Sequence, residues 1–168
     1  DRPQAAHGST LEPWASPPEP EPSLEPWLKM SWPIRSSRLI ADCVKRLRIF
    51  IRPLSAVDQA RVNRSWPGPV TWVLPASTAC PPLLTGGRAT IAIRVTAHPG
   101  AARLCRSLGM ALVSTSANRS GQVPARSYRE VLRRFGSEVD YVLPGRVGGR
   151  RQPTPITDAD SGKLVRPG

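Results

Sequence analysis

The chain has 168 residues, 20 of them proline, and sets 24 Lys or Arg against 12 Asp or Glu for a net charge of +12. No run approaches the ~18 apolar residues of a membrane span, and the first residues lack a basic-then-apolar leader, so a soluble, cytoplasmic protein is expected. Cys43, Cys80 and Cys105 are odd in number and far apart, with only two histidines beside them, which argues against a disulfide framework or a zinc site and for buried free thiols.

Charge divides the chain. Residues 1–36 carry a net −2, so the remaining 132 carry +14. An excess of that size draws in polyanions such as nucleotide phosphates or RNA. Eight prolines interrupt residues 1–36. Proline lacks the amide donor and restricts its predecessor, so the segment reads as extended or disordered, with Trp14, Trp27 and Trp32 available to dock. Residues 37–168 read as the folded domain.

Residues 39–41 predict a short strand and 44–51 a short helix. Ser55 and Asp58 are spaced to cap a helix running to about Trp66, which Pro67-Gly68-Pro69 stops. The β-branched and aromatic residues 70–74 predict a strand, and 75–87 a loop. In the strand 90–95, alternation puts Ile91, Ile93 and Val95 on one face, Ala92 and Arg94 on the other. Pro99 suits the first turn of a helix over 100–108, with Ala101, Leu104, Cys105 and Leu108 inward and Gly109 as its stop.

Residues 110–113 read as a buried strand that empties into Ser114-Thr115-Ser116-Ala117-Asn118-Arg119-Ser120-Gly121. Short hydroxyl and amide side chains beyond a strand end let a phosphate or carboxylate approach the backbone, although such clusters also make ordinary turns. Ser127 and Glu130 cap a further helix with Val131, Leu132 and Phe135 inward. Residues 141–143 predict a strand. The glycine- and arginine-rich loop 146–151 is either a polyanion contact or a solvated loop. Residues 154–158 and 163–166 predict a hairpin around Asp160-Ser161-Gly162. Strands alternating with helices and closing on a hairpin specify an α/β fold with a mixed sheet.

Five stretches resemble the YrdC-like family in order and spacing, over about residues 38–168. They are Ser65-Trp66-Pro67-Gly68-Pro69-Val70-Thr71, Ile91-Ala92-Ile93-Arg94-Val95, the loop Ser114 to Gly121, Pro153-Thr154-Pro155-Ile156-Thr157-Asp158 and Leu164-Val165-Arg166. The resemblance implies an open twisted mixed sheet with flanking helices. It also implies a nucleotidyl transfer in which ATP, L-threonine and bicarbonate give threonylcarbamoyl-adenylate and pyrophosphate, for the threonylcarbamoyladenosine modification of tRNA. By the same resemblance Arg94, Ser116 and Asn118 form the catalytic set, and Thr71, Ser114, Ser116, Asn118, Thr154 and Arg166 hold the nucleotide. Mg²⁺ would accompany ATP, although no carboxylate cluster marks a metal site. The implied partners are tRNA or double-stranded RNA and the proteins of the tRNA threonylcarbamoyl-transfer complex.

Two family features do not occur in this chain: a Pro-Thr-(Asp/Glu)-Thr-x-Tyr-Gly-Leu motif and a Lys-x-Arg pair. The N-terminal portion of the family pattern is thus incomplete, and proline-rich sequence stands in its place. That departure predicts exposed sheet edges and apolar surface, and a chain that is crippled or inactive as a synthase. The alternative is a non-catalytic nucleotide- or double-stranded-RNA-binding module. The related carbamoyl-transfer domain of hydrogenase maturation proteins fits less well, because zinc-finger cysteines are lacking.

Overall fold

The alternating run at 90–95 becomes the middle of a sheet. In the computed structural model, residues 38–145, 147–148 and 152–167 are described. Their strands are β1 (Arg38–Ala41), β2 (Thr71–Pro75), β3 (Thr90–Val95), β4 (Leu112–Ser114), β5 (Ile156–Asp158) and β6 (Leu164–Arg166). They pair in the order β4-β1-β3-β2-β5-β6. The β1–β3 and β2–β5 ladders are parallel and the other three antiparallel, so the sheet is mixed, as expected.

One face of this sheet is the core. Leu39, Ala41, Trp72, Leu74, Ile91, Ile93 and Val95 are buried there. They cluster with Leu47 and Phe50 of a 3-10 helix (Val44–Phe50), Val62 of α1 (Ala56–Asn63), and Leu84 of α2 (Pro82–Thr85). Burying side chains of this size stabilises by ~1.5–3 kcal/mol each, before the ordering cost. Helix α3 (Pro99–Leu108) packs along β1, burying Ala102 and Cys105 outside that cluster; the Cys105 thiol donates to the Ile40 carbonyl at 3.8 Å.

The helix starts follow the sequence. Ser55 Oγ accepts the Asp58 N–H at 3.1 Å to open α1. Ser127 Oγ accepts the Glu130 N–H at 3.2 Å to open α4 (Tyr128–Phe135), and the Glu130 carboxylate takes the Arg126 N–H at 2.8 Å in return. Pro99 occupies the first turn of α3, and Gly109, at φ 69°, supplies the left-handed residue that ends it.

Several expectations need correction. Helix α1 ends at Asn63, and a run of turns carries the chain on through Trp66, whose ring lies in the core. The stretch 75–87 contains α2, where Pro82 pre-sets the first turn and Leu84 reaches the core. Residues 141–143 form no strand: their β propensity finds no ladder, and Tyr141 and Leu143 are exposed. The inward faces foreseen for α3 and α4 are only partly covered. Leu104 and Leu108 are exposed, and α4 has no buried residue, Leu132 being 47% exposed. Residues 1–36 with their three tryptophans, and Arg146, Gly149, Arg150 and Arg151 of the basic loop, lie outside the described residues. All three cysteines are free thiols, and burial pushes the Cys80 thiol up to about 11.

Two joints fix the strands that matter below. The Gly68 N–H donates to the Val95 carbonyl at 2.9 Å, tying the turn before β2 to the end of β3. A Cβ at Gly68 would stand 2.1 Å from the Ser65 carbonyl oxygen, a backbone atom that cannot swing away. At the far edge, Asp158 organises the β5–β6 hairpin. Its carboxylate accepts the Ser161 N–H at 2.8 Å and the Ser161 hydroxyl at 2.9 Å. The Ser161 N–H first, and then its hydroxyl, hold this carboxyl below the usual range.

Gly68→Ala is expected to lower the unfolding free energy by roughly 1–3 kcal/mol, measured as a fall in the urea midpoint. Asp158 favours its ionised form in the folded state. Its contribution is therefore present above the ordinary carboxylate value of about 3.9 and fades as pH falls through the folded value. Asp158→Ala is expected to lower stability at pH 7 and to lose less than the parent between pH 7 and about pH 3, in paired urea titrations.

Candidate functional site

Because side chains alternate across a strand, the residues between the core positions project to the opposite face. The register lines them up in two rows. Ile40 stands across from Leu112 on one side and Arg94 on the other. One step beyond the Trp72–Ile93 pair, Thr71 faces Arg94; Thr71 in turn pairs with Ile156, and Ile156 with Arg166. The second row runs Ser114, Arg38, Ala92, Val73, Asp158. At one edge Ile40 is buried beside α3. The remainder of this face is half-buried apart from the fully buried Thr71, and it sets Arg38, Arg94, Arg166, Ser114 and Asp158 among Leu112, Ile156, Ala92 and Val73.

Three arginines meet on it. Arg94 donates from Nη1 to the Thr154 hydroxyl at 3.3 Å, and Arg166 donates from Nη2 to the Thr154 carbonyl at 3.1 Å. Burial pushes the Arg38 guanidinium down to about 10, and the neighbouring charges of Arg166 and Arg94 add to the shift. At about 10 the Arg38 guanidinium is still charged at neutral pH. The Thr71 hydroxyl, fully buried in the same row, has no hydrogen-bond partner among the described residues. Its backbone N–H donates to the Pro155 carbonyl at 3.0 Å, which holds the chain entering β5 beside β2.

The hydroxyl loop leaves the sheet at this face. Ser114 ends β4 directly across from Arg38. Beyond it the Asn118 N–H donates to the Ser116 carbonyl at 2.9 Å, and the Ala125 N–H to the Ala117 carbonyl at 2.9 Å, so the loop closes on itself. Gly121 turns it at φ 78°. Asn118 spends its amide N–H on the Arg119 carbonyl at 2.9 Å, while its Oδ1 is buried without a partner among the described residues. Ser116 is exposed.

Of the residues singled out in the sequence, the structure brings Arg94, Thr71, Thr154, Arg166 and Ser114 onto one face. Ser116 and Asn118 lie on the loop that begins there, two and four residues past Ser114. Alternation in 90–95 put Arg94 on the face away from the core, and it is there. Arg38 was missed. Its signal was the same alternation, since it stands two residues before Ile40, but a strand of four residues shows little periodicity. Asp158 proves to be a turn organiser, its carboxylate engaged by Ser161. Among the described residues no three His, Cys, Asp or Glu side chains converge to hold a metal ion.

Comparison with known proteins adds the lineage. The model of the Sua5/YciO/YrdC family, described as telomere recombination, matches residues 36–168. A threonylcarbamoyl-AMP synthase of Thiobacillus denitrificans is 58% identical over 128 residues, 76% of this chain and 68% of the relative. That of Halorhodospira halophila is 54% identical over 128 residues, 76% of this chain and 67% of the relative. Among solved structures, P. abyssi Sua5 complexed with L-threonine superposes with a TM-score of 0.72 at 26% identity, over 78% of this chain and 39% of that one. E. coli YciO gives a TM-score of 0.66 at 25% identity, over 80% and 66%. The chain thus spans about two fifths of the P. abyssi protein and about two thirds of the bacterial relatives. With its mixed sheet and its motif-bearing face both in place, this chain belongs to the Sua5/YciO/YrdC family.

Proposed function

We propose that this chain carries the nucleotide and amino-acid site of a threonylcarbamoyl-AMP synthase. On this reading the amino group of L-threonine takes up bicarbonate as a carbamate with loss of water. A carbamate oxygen then displaces pyrophosphate from the α-phosphorus of ATP, leaving threonylcarbamoyl-adenylate. No covalent nucleophile is needed, so rate comes from positioning and charge neutralisation. The observation that carries the reading is the convergence of Arg94, Arg166 and Thr154 on one sheet face, in a chain of this family.

Arg94 pairs with the threonine carboxylate or a phosphate through its planar fork. Ser116 and Asn118 hold ATP phosphates with Ser114 at the head of their loop. Thr71, Thr154 and Arg166 complete the nucleotide site, and the buried Thr71 hydroxyl is a donor still to be satisfied. Mg²⁺ would enter on the ATP phosphates as part of the substrate. The adenylate would pass to the proteins that place threonylcarbamoyladenosine in tRNA, in the cytoplasm.

A second reading, a nucleotide- or double-stranded-RNA-binding module without turnover, draws on the +14 carried by residues 37–168 and on the lack of a Lys-x-Arg pair. Pyrophosphate release by the purified chain separates the two. The synthase reading expects release that needs ATP, L-threonine and bicarbonate together, and a fall of about 100-fold in Asn118→Ala and Arg94→Ala, the usual scale for losing one preorganised donor. A folded, monodisperse chain that releases none, yet binds RNA with a steep salt dependence, would sink it.

A further inference from the structure

Arg38 has no part in the reactions above, yet its surroundings are those of a ligand-binding group. It opens β1 directly across from Ser114, where the hydroxyl loop begins, and shares its sheet face with Arg94 and Arg166. Its Nε is buried with no hydrogen-bond partner, and no carboxylate forms an ion pair with it among the described residues. The acid in its own row, Asp158, is engaged by the Ser161 N–H and hydroxyl. The guanidinium is therefore half-buried among like charges, with an unsatisfied donor.

We propose that Arg38 is a phosphate-binding residue of this face, gripping the polyphosphate of a bound nucleotide between Arg94 and the Ser114–Gly121 loop. This deepens the nucleotide reading and rests on it. Geometry favours a chain of phosphates over a lone carboxylate. Extending the register puts Arg38 across from Ala92, two residues before Arg94, so on this parallel ladder the two arginines are diagonal neighbours with Cα atoms ~8 Å apart, from a strand spacing of ~4.8 Å and a rise of ~3.3 Å per residue. Linked phosphoryl groups span that gap with oxygens facing both guanidiniums; a single carboxylate satisfies one fork. The negative charge also relieves the repulsion from Arg166 and Arg94, which adds to the burial that lowers Arg38 to about 10.

Inorganic tripolyphosphate, titrated calorimetrically into the full chain and into its Arg38→Met and Arg38→Lys variants, tests the assignment. The parent is expected to bind it and to melt at a higher temperature in its presence. Arg38→Met should bind about tenfold more weakly or worse, with Arg38→Lys between, since a point charge replaces the fork. Without ligand, Arg38→Met should melt no lower than the parent, because an apolar isostere removes like-charge repulsion. A parent that ignores tripolyphosphate, or variants that bind it as the parent does, overturns the proposal. So does an Arg38→Met that melts well below the parent while Arg38→Lys binds unchanged, because the arginine is then a packing residue. Tripolyphosphate binding that depends on Arg38, in a chain that releases no pyrophosphate from ATP, L-threonine and bicarbonate, leaves this inference standing and removes only the synthase reading.

Discussion

The two-residue period of the central strands governs everything else in this molecule. Leu39, Ile93 and Trp72 lie side by side in β1, β3 and β2 and point into the core. Their neighbours Ile40, Arg94 and Thr71 must then point the other way. A one-residue slip of β3 would drive Arg94 into a cluster of Leu, Ile, Val and Trp, where an unpaired guanidinium costs several kcal/mol, and would expose Ile91 and Ile93. The register that stabilises the core is thus the same register that sets the cationic row. Fold and site are not separable at these positions.

The joints between strands turn that row into a fixed geometry. Gly68 reaches the Val95 carbonyl, Thr71 the Pro155 carbonyl, and Thr96 the Ala41 carbonyl, each within 3.0 Å. Trp66 and Trp72 reinforce the first joint with their indole N–H groups, to the Val70 carbonyl and the Ser65 hydroxyl, both at 2.8 Å. The Trp-Pro-Gly-Pro block therefore reads as a brace holding β2 against β3, and its distinctiveness as a motif has a mechanical cause. The arginines belong to strands locked in this way, while Ser116 and Asn118 ride on a loop closed by its own backbone. Rigid elements hold charge at set spacing, and a loop supplies the close-approaching donors.

What could be read from the residues was local. Ser55 with Asp58, and Ser127 with Glu130, announce helix starts because a cap is a contact three residues long. The face of Arg94 follows from six alternating residues. The strand reading of 141–143 failed because a strand exists only through a partner, and β propensity cannot say whether an edge is free to pair. The apolar stripe of α4 failed in the same way: periodicity gives the face but not what covers it. The grouping of Arg38, Arg94, Thr154 and Arg166 joins positions up to 128 residues apart, through pairings that no local pattern encodes. The motifs put three of these four residues on a list; only the sheet order puts all four in one place.

That grouping has an energetic consequence. Arg38, half-buried beside Arg94 and Arg166 with no carboxylate paired to it among the described residues, is an arrangement that the folded chain tolerates rather than gains from. A ligand that binds the folded state and not the unfolded one adds RT ln(1 + [L]/Kd) to stability, about 2.7 kcal/mol at a hundredfold excess over Kd. Relieving like-charge repulsion is part of what such a ligand supplies, so an anion of several charges gains more here than one of a single charge. The Thr71 hydroxyl lies on this face, and Ser114 on it opens the loop that carries Asn118; the Thr71 hydroxyl and the Asn118 amide oxygen are buried without a partner among the described residues. Stability, charge and unsatisfied polar groups therefore converge on the same requirement. A polyanion is the ligand class that would meet all three at once on the proposed reading.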